Sequence, residues 1–345
     1  MPIPPSRQNP ATLIIVAPGL LSLPDALLAS STPLARLTAL AAGVITVPGG
    51  IDAATAAAVG YRGALAPLAA LGAGFDPAGE WVTQADPVHI EVGATDALVT
   101  GRVDDLDADE ARQLVADIND LLGSADMRVV APRSDRWFAL SSDDIAGEAI
   151  AVDAVVGRGL AETLRRGDDA RKLARLRGEI EMLLHDHPVN RQRAERGATS
   201  VDGLWLWGGG RRSSVEAGLP KLRVGVCPGR VGDVARGLAI VSRGRIAAPD
   251  HAGIDALLAE PDDPSLPDSP LSIIAVSNPL RSESDLDALG RDLLTVALAR
   301  LYARKIGEAI LVADGGANAV TWRVRAPGAL RRLTVALRGP HFVRP

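Results

Sequence analysis

Residues 12–17 (Thr-Leu-Ile-Ile-Val-Ala) form a short apolar run rich in β-branched side chains and closed by Pro18-Gly19. That is the pattern of a strand buried on both faces. Thr32-Pro33 then supplies an N-cap and a first helical position for a helix with Leu34, Leu37 and Leu40 on one face. The same grammar returns past residue 220: Leu222–Cys227 before a helix near 231–241, Leu271–Val276 before a long helix near 284–304, then Ala309–Ala313 and Val320–Val324. Strands alternating with helices predict a mostly parallel sheet covered by helices.

Between these halves the period changes. Val88–Val92 and Ala97–Val103 alternate as half-buried strands do. A helix over about 108–122 presents Ala111, Leu114, Val115, Ile118, Leu121 and Leu122 to one side and stops at Gly123, and Met127–Ala131 and Trp137–Leu140 predict further strands. The segment 79–160 is expected to be an inserted α+β domain, with 1–78 and 161–345 forming the larger α/β core. Residues 260–270 form a proline-rich acidic loop.

Composition narrows the function classes. The chain has 345 residues, 47% hydrophobic and 23% charged, enough for ordinary cores, which excludes a disordered or disulfide-stapled chain. Its net charge of −5 excludes a broad nucleic-acid surface, which needs a clustered positive field. All but Lys172, Lys221 and Lys305 of the 37 basic residues are arginine, a preference that matches GC-rich coding. The single cysteine, Cys227, cannot form an internal disulfide or a cysteine metal cage, and the first residues lack a basic-then-apolar leader pattern. A cytoplasmic protein with no membrane span is expected.

Candidate chemistry concentrates in His185-Asp-His-Pro-Val-Asn-Arg-Gln-Arg and, after Gly197, Leu204-Trp-Leu-Trp-Gly-Gly-Gly-Arg-Arg. Exposed amides of a glycine run together with arginines suit an anion such as phosphate. A purely structural alternative stands beside this: His185 and His187 cap a helix over about 169–186, the tryptophans fill core, and the glycines turn the chain.

His187-Pro-Val-Asn-x-x-Arg with Leu204-Trp-Leu-Trp-Gly-x-Gly resembles the signature of archaeal-type cofactor-independent phosphoglycerate mutases, members of the alkaline phosphatase superfamily. The likeness runs in order along the chain, through Thr32-Pro33, Val47-Pro48-Gly49 to Gly60-Tyr61, Ala85-Asp86, Gly101-Arg102, Gly232-Asp233 and Ala313-Asp314-Gly315. It extends to a degenerate proteobacterial branch labelled regulatory proteins of the RpfE type. The resemblance implies a three-layer α/β/α phosphatase-type core with an α+β insert. It also implies two divalent metals held by Asp and His, and a serine nucleophile that is phosphorylated in turn.

The positions where that family carries its chemistry are altered here. Its first metal-binding Asp falls on Pro18, its serine on Ile51 followed by Asp52, and its late Asp-His pair on Asp314-Gly315. No histidine lies between His251 and His341, where the resemblance requires an Asp-x-x-x-His pair. Thr55 replaces the serine only if the register shifts by four, and His89, His251 and His341 stand alone. The expectation is therefore a phosphoglycerate-mutase-like protein without catalytic residues, metal or other cofactor.

Binding is expected to remain. Its candidates are His187, Asn190, Arg193, Gly208, Gly210 and Arg211, with Arg191 and Arg212 beside them, and Arg136, which falls where the family's insert carries an arginine near substrate. The family's other basic position in the insert falls on Ile90 or Glu91. The expected partner is a phosphorylated small molecule or a protein, and neither nucleic acid nor membrane. An active mutase or phosphatase with an unrecognised site, and a purely structural interaction protein, stay open at this level.

Overall fold

A computed structural model describes residues 11–93, 96–123, 126–144, 151–159, 168–214, 222–226, 229–248, 252–253, 256–257, 272–315, 318–328, 335 and 341–342, residues 168–172 and 214 by their backbone. Cys227, His251 and the acidic stretch 260–270 lie outside these residues. Packing divides the chain into one unit of residues 1–62 and 218–345 and a second of residues 63–217.

The first unit is built on a seven-stranded sheet. Its order is β2 (Gly43–Pro48), β12 (Asn318–Arg325), β11 (Ile306–Gly315), β1 (Ala11–Ala17), β10 (Ser272–Val276), β8 (Leu222–Val226) and β9 (Arg245–Ala247). From β11 to β9 every pairing is parallel, with Ile14 level with Ile274 on one side and Ile310 on the other; β12 runs antiparallel to both its neighbours. Leu13, Ile15 and Ala17 point into a cluster with Leu34 and Leu37 of α2 (Thr32–Ala39) and with Leu293 and Leu298. The intervening residues Ile14 and Val16 are equally buried, and α3 (Gly50–Ala58), which reaches β1, β11 and β12, supplies no side chain to that cluster. Helices therefore lie on both faces of a mostly parallel sheet, as the apolar runs predicted.

The structure departs from these expectations at three places. The N-cap position of α2 falls on Ser31, one residue before the expected Thr32, with Pro33 in the first turn. The helix expected near 284–304 is interrupted: Glu283–Leu289 and Thr295–Tyr302 are separated by a π-helical turn at Gly290–Leu294. Edge strand β2 was missed because most of it is exposed, so no buried face marked it.

Tyr61 follows α3, and burial pushes its phenol up to about 12. The neutral phenol is favoured in the fold, so this stabilisation is complete below the unfolded value near 10 and is lost as pH rises through about 12. Tyr61→Phe is expected to flatten the alkaline fall of urea stability in that window.

The second unit is antiparallel. Strand β3 (Trp81–Val92) pairs along one edge with β7 (Gly203–Arg211), and along the other first with β6 (Arg136–Ser141) and then with β4 (Ala97–Arg102); β5 (Met127–Arg133) pairs with β6. One face carries Ala85, Trp137, Leu204 and Leu206 against Leu114 and Ile118 of a helix at Ala108–Leu122, and against Ile180 and Leu184 of a helix at Asp168–His185. The other carries Trp205 and Trp207 against Ala151, Val152 and Val155.

This unit is wider than the segment 79–160 expected to be inserted. A helix at Ala66–Gly72 packs on β3 and β7, and the Trp-Leu-Trp strand belongs to this sheet and not to the parallel core. The alternation Leu204, Leu206 to one side and Trp205, Trp207 to the other explains why: both sets need a covered face, which the helices at Ala108–Leu122 and Asp168–His185 supply on one side and Ala151, Val152 and Val155 on the other, while β3 supplies the backbone partner.

Candidate functional site

The end of the parallel sheet is the first place to look for chemistry, because ligands in such folds bind beyond the carboxyl ends of the strands. There β1 runs into Pro18-Gly19 and β11 ends at Asp314-Gly315. The Gly19 amide donates to both carboxylate oxygens of Asp314, at 2.7 and 2.8 Å. Ile51 lies in the first turn of α3, which packs on β1, β11 and β12. Pro18, Ile51 and Asp314-Gly315, the positions the resemblance marks, are thus carried by adjacent elements.

Two divalent ions do not fit this donor set. Pro18, Ile51 and Gly315 offer no side-chain ligand, and Asp314 faces a backbone N–H. Among the described residues no three His, Cys, Asp or Glu side chains come together as a metal site. The Thr55 hydroxyl donates to the Ile51 carbonyl at 2.7 Å within its own helix.

The His-Pro-Val-Asn-x-x-Arg motif spends its polar atoms inside the second unit. His187 is the N-cap of a helix at Pro188–Glu195: its Nδ1 accepts from the Val189 N–H at 3.2 Å, which puts the ring proton on Nε2, 2.7 Å from Asp117 Oδ2. Asn190 donates to the carbonyls of Leu184 (2.8 Å) and Val201 (2.7 Å) and accepts from the Val201 N–H (2.9 Å). Arg193 is fully buried; it donates to Thr199 O at 2.7 Å, to Glu110 Oε2 at 2.9 Å and to Asp105. These three residues clasp one helix to the loop that follows and to the start of another. They do not converge on an open site.

Arg211 is likewise engaged, donating to the carbonyls of Gly79 (2.8 Å) and Ser142 (2.7 Å) and to Asp144, while Arg212 pairs with Asp76. The glycine run makes close contacts within the fold. Gly208 has φ +70°, and a Cβ on Gly209 would stand 2.7 Å from Trp81 Nε1. Here the structural alternative accounts for the motif. His185 is exposed, His89 binds Asp202 at 2.5 Å, and His341 is exposed.

One polar group remains on the tryptophan face of the second sheet. Arg136 is wholly buried, its guanidinium carbon 5.5 Å from the centre of the Phe138 ring. Gln84, also wholly buried, sits level with Phe138 on one side and Trp207 on the other, and neither atom of its carboxamide meets a hydrogen-bond partner. Two residues along, buried Asp86 accepts from Trp207 Nε1 at 2.7 Å. Burial alone would lower the basicity of Arg102, but Asp153, Asp86 and Asp104 together hold it above its ordinary value. Gln84 escaped the sequence reading because Trp81–Pro87 shows no alternation: nearly all of it is covered on both faces, and its polar residues are as buried as its apolar ones.

No family model matches the chain. In sequence it is similar to the 2,3-bisphosphoglycerate-independent phosphoglycerate mutase of Methanothrix thermoacetophila, 38% identical over 61 residues, which are 18% of this chain and 16% of that protein. It is also similar to a probable enzyme of the same name from Geobacter sulfurreducens, 25% identical over 103 residues, or 30% of this chain and 26% of that one. The chain thus matches well under a third of the length of either relative. Among solved structures it is similar to a cofactor-independent phosphoglycerate mutase from Thermoplasma acidophilum (TM-score 0.42, 16% identity, 92% of this chain and 90% of that one). A second is the PH0037 protein from Pyrococcus horikoshii (TM-score 0.43, 12% identity, 92% and 88%). The chain is phosphoglycerate-mutase-like in local sequence, on a mixed α/β architecture.

Proposed function

We propose that this protein is a phosphoglycerate-mutase-like chain of the RpfE-type branch that carries out no phosphoryl transfer and acts by binding an anionic phosphometabolite, in a regulatory role. The observation that carries the reading is the bond from Gly19 to Asp314: the one carboxylate at the family's metal positions is turned to a backbone amide, beside proline. Phosphoryl transfer needs metals or an equivalent positive clamp on the transferring group, and Pro18, Ile51 and Gly315 cannot supply one.

Binding rests on the buried polar face of the second sheet. An unbonded buried carboxamide costs about 1–3 kcal/mol, so Gln84 is a group that a ligand oxygen or amine would satisfy. Arg136 on the neighbouring strand supplies the charge an anion requires. Both side chains are screened from solvent, so entry requires local opening.

Thermal shift of the full chain with 3-phosphoglycerate and with inorganic phosphate tests the reading. A ligand at 100 times its dissociation constant stabilises a fold by about 2.7 kcal/mol. A rise in Tm is expected for the native chain and its loss in Gln84→Leu. Two Mn or Zn ions per chain together with mutase turnover would overturn the proposal. Absence of any shift, with a stable protein partner in pull-downs, would replace it by the structural reading.

A further inference from the structure

A cleft of about 270 Å³ opens in the first unit between the start of α2 and the interrupted helix at 283–302. The interruption shapes it. In the π-helical turn at Gly290–Leu294 the backbone is wider than in an α-helix, and such turns recur at functional sites. The turn is satisfied from within, since the Thr295 hydroxyl donates to the Gly290 carbonyl at 2.7 Å, and Pro33 covers Gly290 from across the cleft.

The rest of the lining is polar; Ser30 spends its hydroxyl on the Leu27 carbonyl at 2.8 Å, which leaves Ser31, Asp287 and Arg291 as the groups that face the cleft. Ser31 is only 8% exposed and is the N-cap of the eight-residue α2, yet its hydroxyl makes no capping bond and has no other partner among the described residues. An N-cap serine ordinarily accepts from the second or third amide of its helix. Here Pro33 removes the second donor, and the third, on Leu34, is not taken. The hydroxyl and the first amides of α2 therefore form a donor-rich end with positive dipole character.

Two charges complete the lining. Arg291 and Asp287 both face the cleft, and neither is in an ion pair with the other or with another described residue. The site therefore has a positive end, made by Arg291 and the start of α2, and a negative group, Asp287. A bare anion would meet Asp287 unfavourably, and a bare cation would meet Arg291. A small molecule carrying both charges satisfies each, and the volume lies under the ~300–1,000 Å³ of drug-sized pockets.

We infer that this cleft binds a small α-amino acid, its carboxylate on Ser31, Arg291 and the α2 amides and its ammonium on Asp287. The inference does not depend on the phosphometabolite reading, which concerns the other unit.

The test offers the twenty proteinogenic α-amino acids singly to the full chain in thermal shift and follows the strongest by calorimetry. At least one is expected to raise Tm, and its N-acetyl derivative and its decarboxylated amine, each lacking one charge, are expected to be inactive. Arg291→Glu and Asp287→Lys alter exposed side chains and should leave folding intact; each is expected to weaken Kd by about tenfold or more. Ser31→Ala should weaken it as well, while Gln84→Leu should leave it unchanged. The inference is overturned if no amino acid binds, or if binding survives both charge reversals. It is equally overturned if acetate or inorganic phosphate binds as tightly and Asp287→Lys does not weaken them, which would mark a plain anion site.

Discussion

Arg193→Ala is expected to lower unfolding stability by about 3–5 kcal/mol, the range for removing one partner of a buried ion pair. The side chain is fully buried, and its three guanidinium nitrogens each donate inside the fold. Truncation strands the Thr199 carbonyl and opens a cavity. It also removes a cation from Glu110, whose side chain is 7% exposed. Glu110 keeps two donors, the Asp107 N–H at 3.0 Å and Arg196, so its charge is not left wholly bare. That places the expected cost toward the lower end.

Arg193→Lys should recover less than half of the loss, because an ammonium cannot reproduce the planar fork that reaches Thr199, Glu110 and Asp105 together. Urea unfolding checks both variants: a lower midpoint at an unchanged m-value is expected. A loss below about 1 kcal/mol would mean that the cluster is surface-like in energy, as exposed pairs are, and that Arg193 is free to serve a ligand after all.

The same residues show how far a sequence can be read. Apolar runs revealed β1, β8 and β10, since strands buried on both faces commonly read as nearly continuous apolar runs. The helix at Ala108–Leu122 is legible from its stripe, and Asp107 with Glu110 opens it with a capping box. The motif around His187 was legible as something unusual but not as what it does. Histidine, asparagine and arginine close together suit an anion and suit a helix clasp equally well, and only the positions of Asp117, Val201 and Glu110 decide between them. Those partners lie 70, 11 and 83 residues away along the chain, beyond any local pattern. Gln84 and Asp86 were hidden for the opposite reason, since polar residues buried on a central strand carry no periodic signature. Alternation begins only at Val88, seven residues after the strand itself.

Gly19→Ala is expected to cost about 3 kcal/mol or more, the sum of a backbone penalty and lost hydrogen bonds. Gly19 sits at φ +78°, a conformation an L side chain adopts at a cost of roughly 1–2 kcal/mol. A Cβ there would collide with the Leu280 carbonyl oxygen, which is backbone and cannot swing aside as a side chain would. To relieve the collision the turn after β1 must move away from the segment after β10. That movement threatens the Leu280 N–H to Pro18 O bond of 2.8 Å and the Gly19 N–H bond to Asp314. Asp314→Asn separates the two contributions, because it keeps the glycine and an acceptor oxygen while removing the charge. It should cost about 1 kcal/mol, the usual net worth of one hydrogen bond. If both variants lost the same stability in urea unfolding, the steric account of Gly19 would fail. If Gly19→Ala is far the more damaging, this glycine is held by the approach of two backbones, and its presence after β1 is no sign that a metal ligand once preceded it.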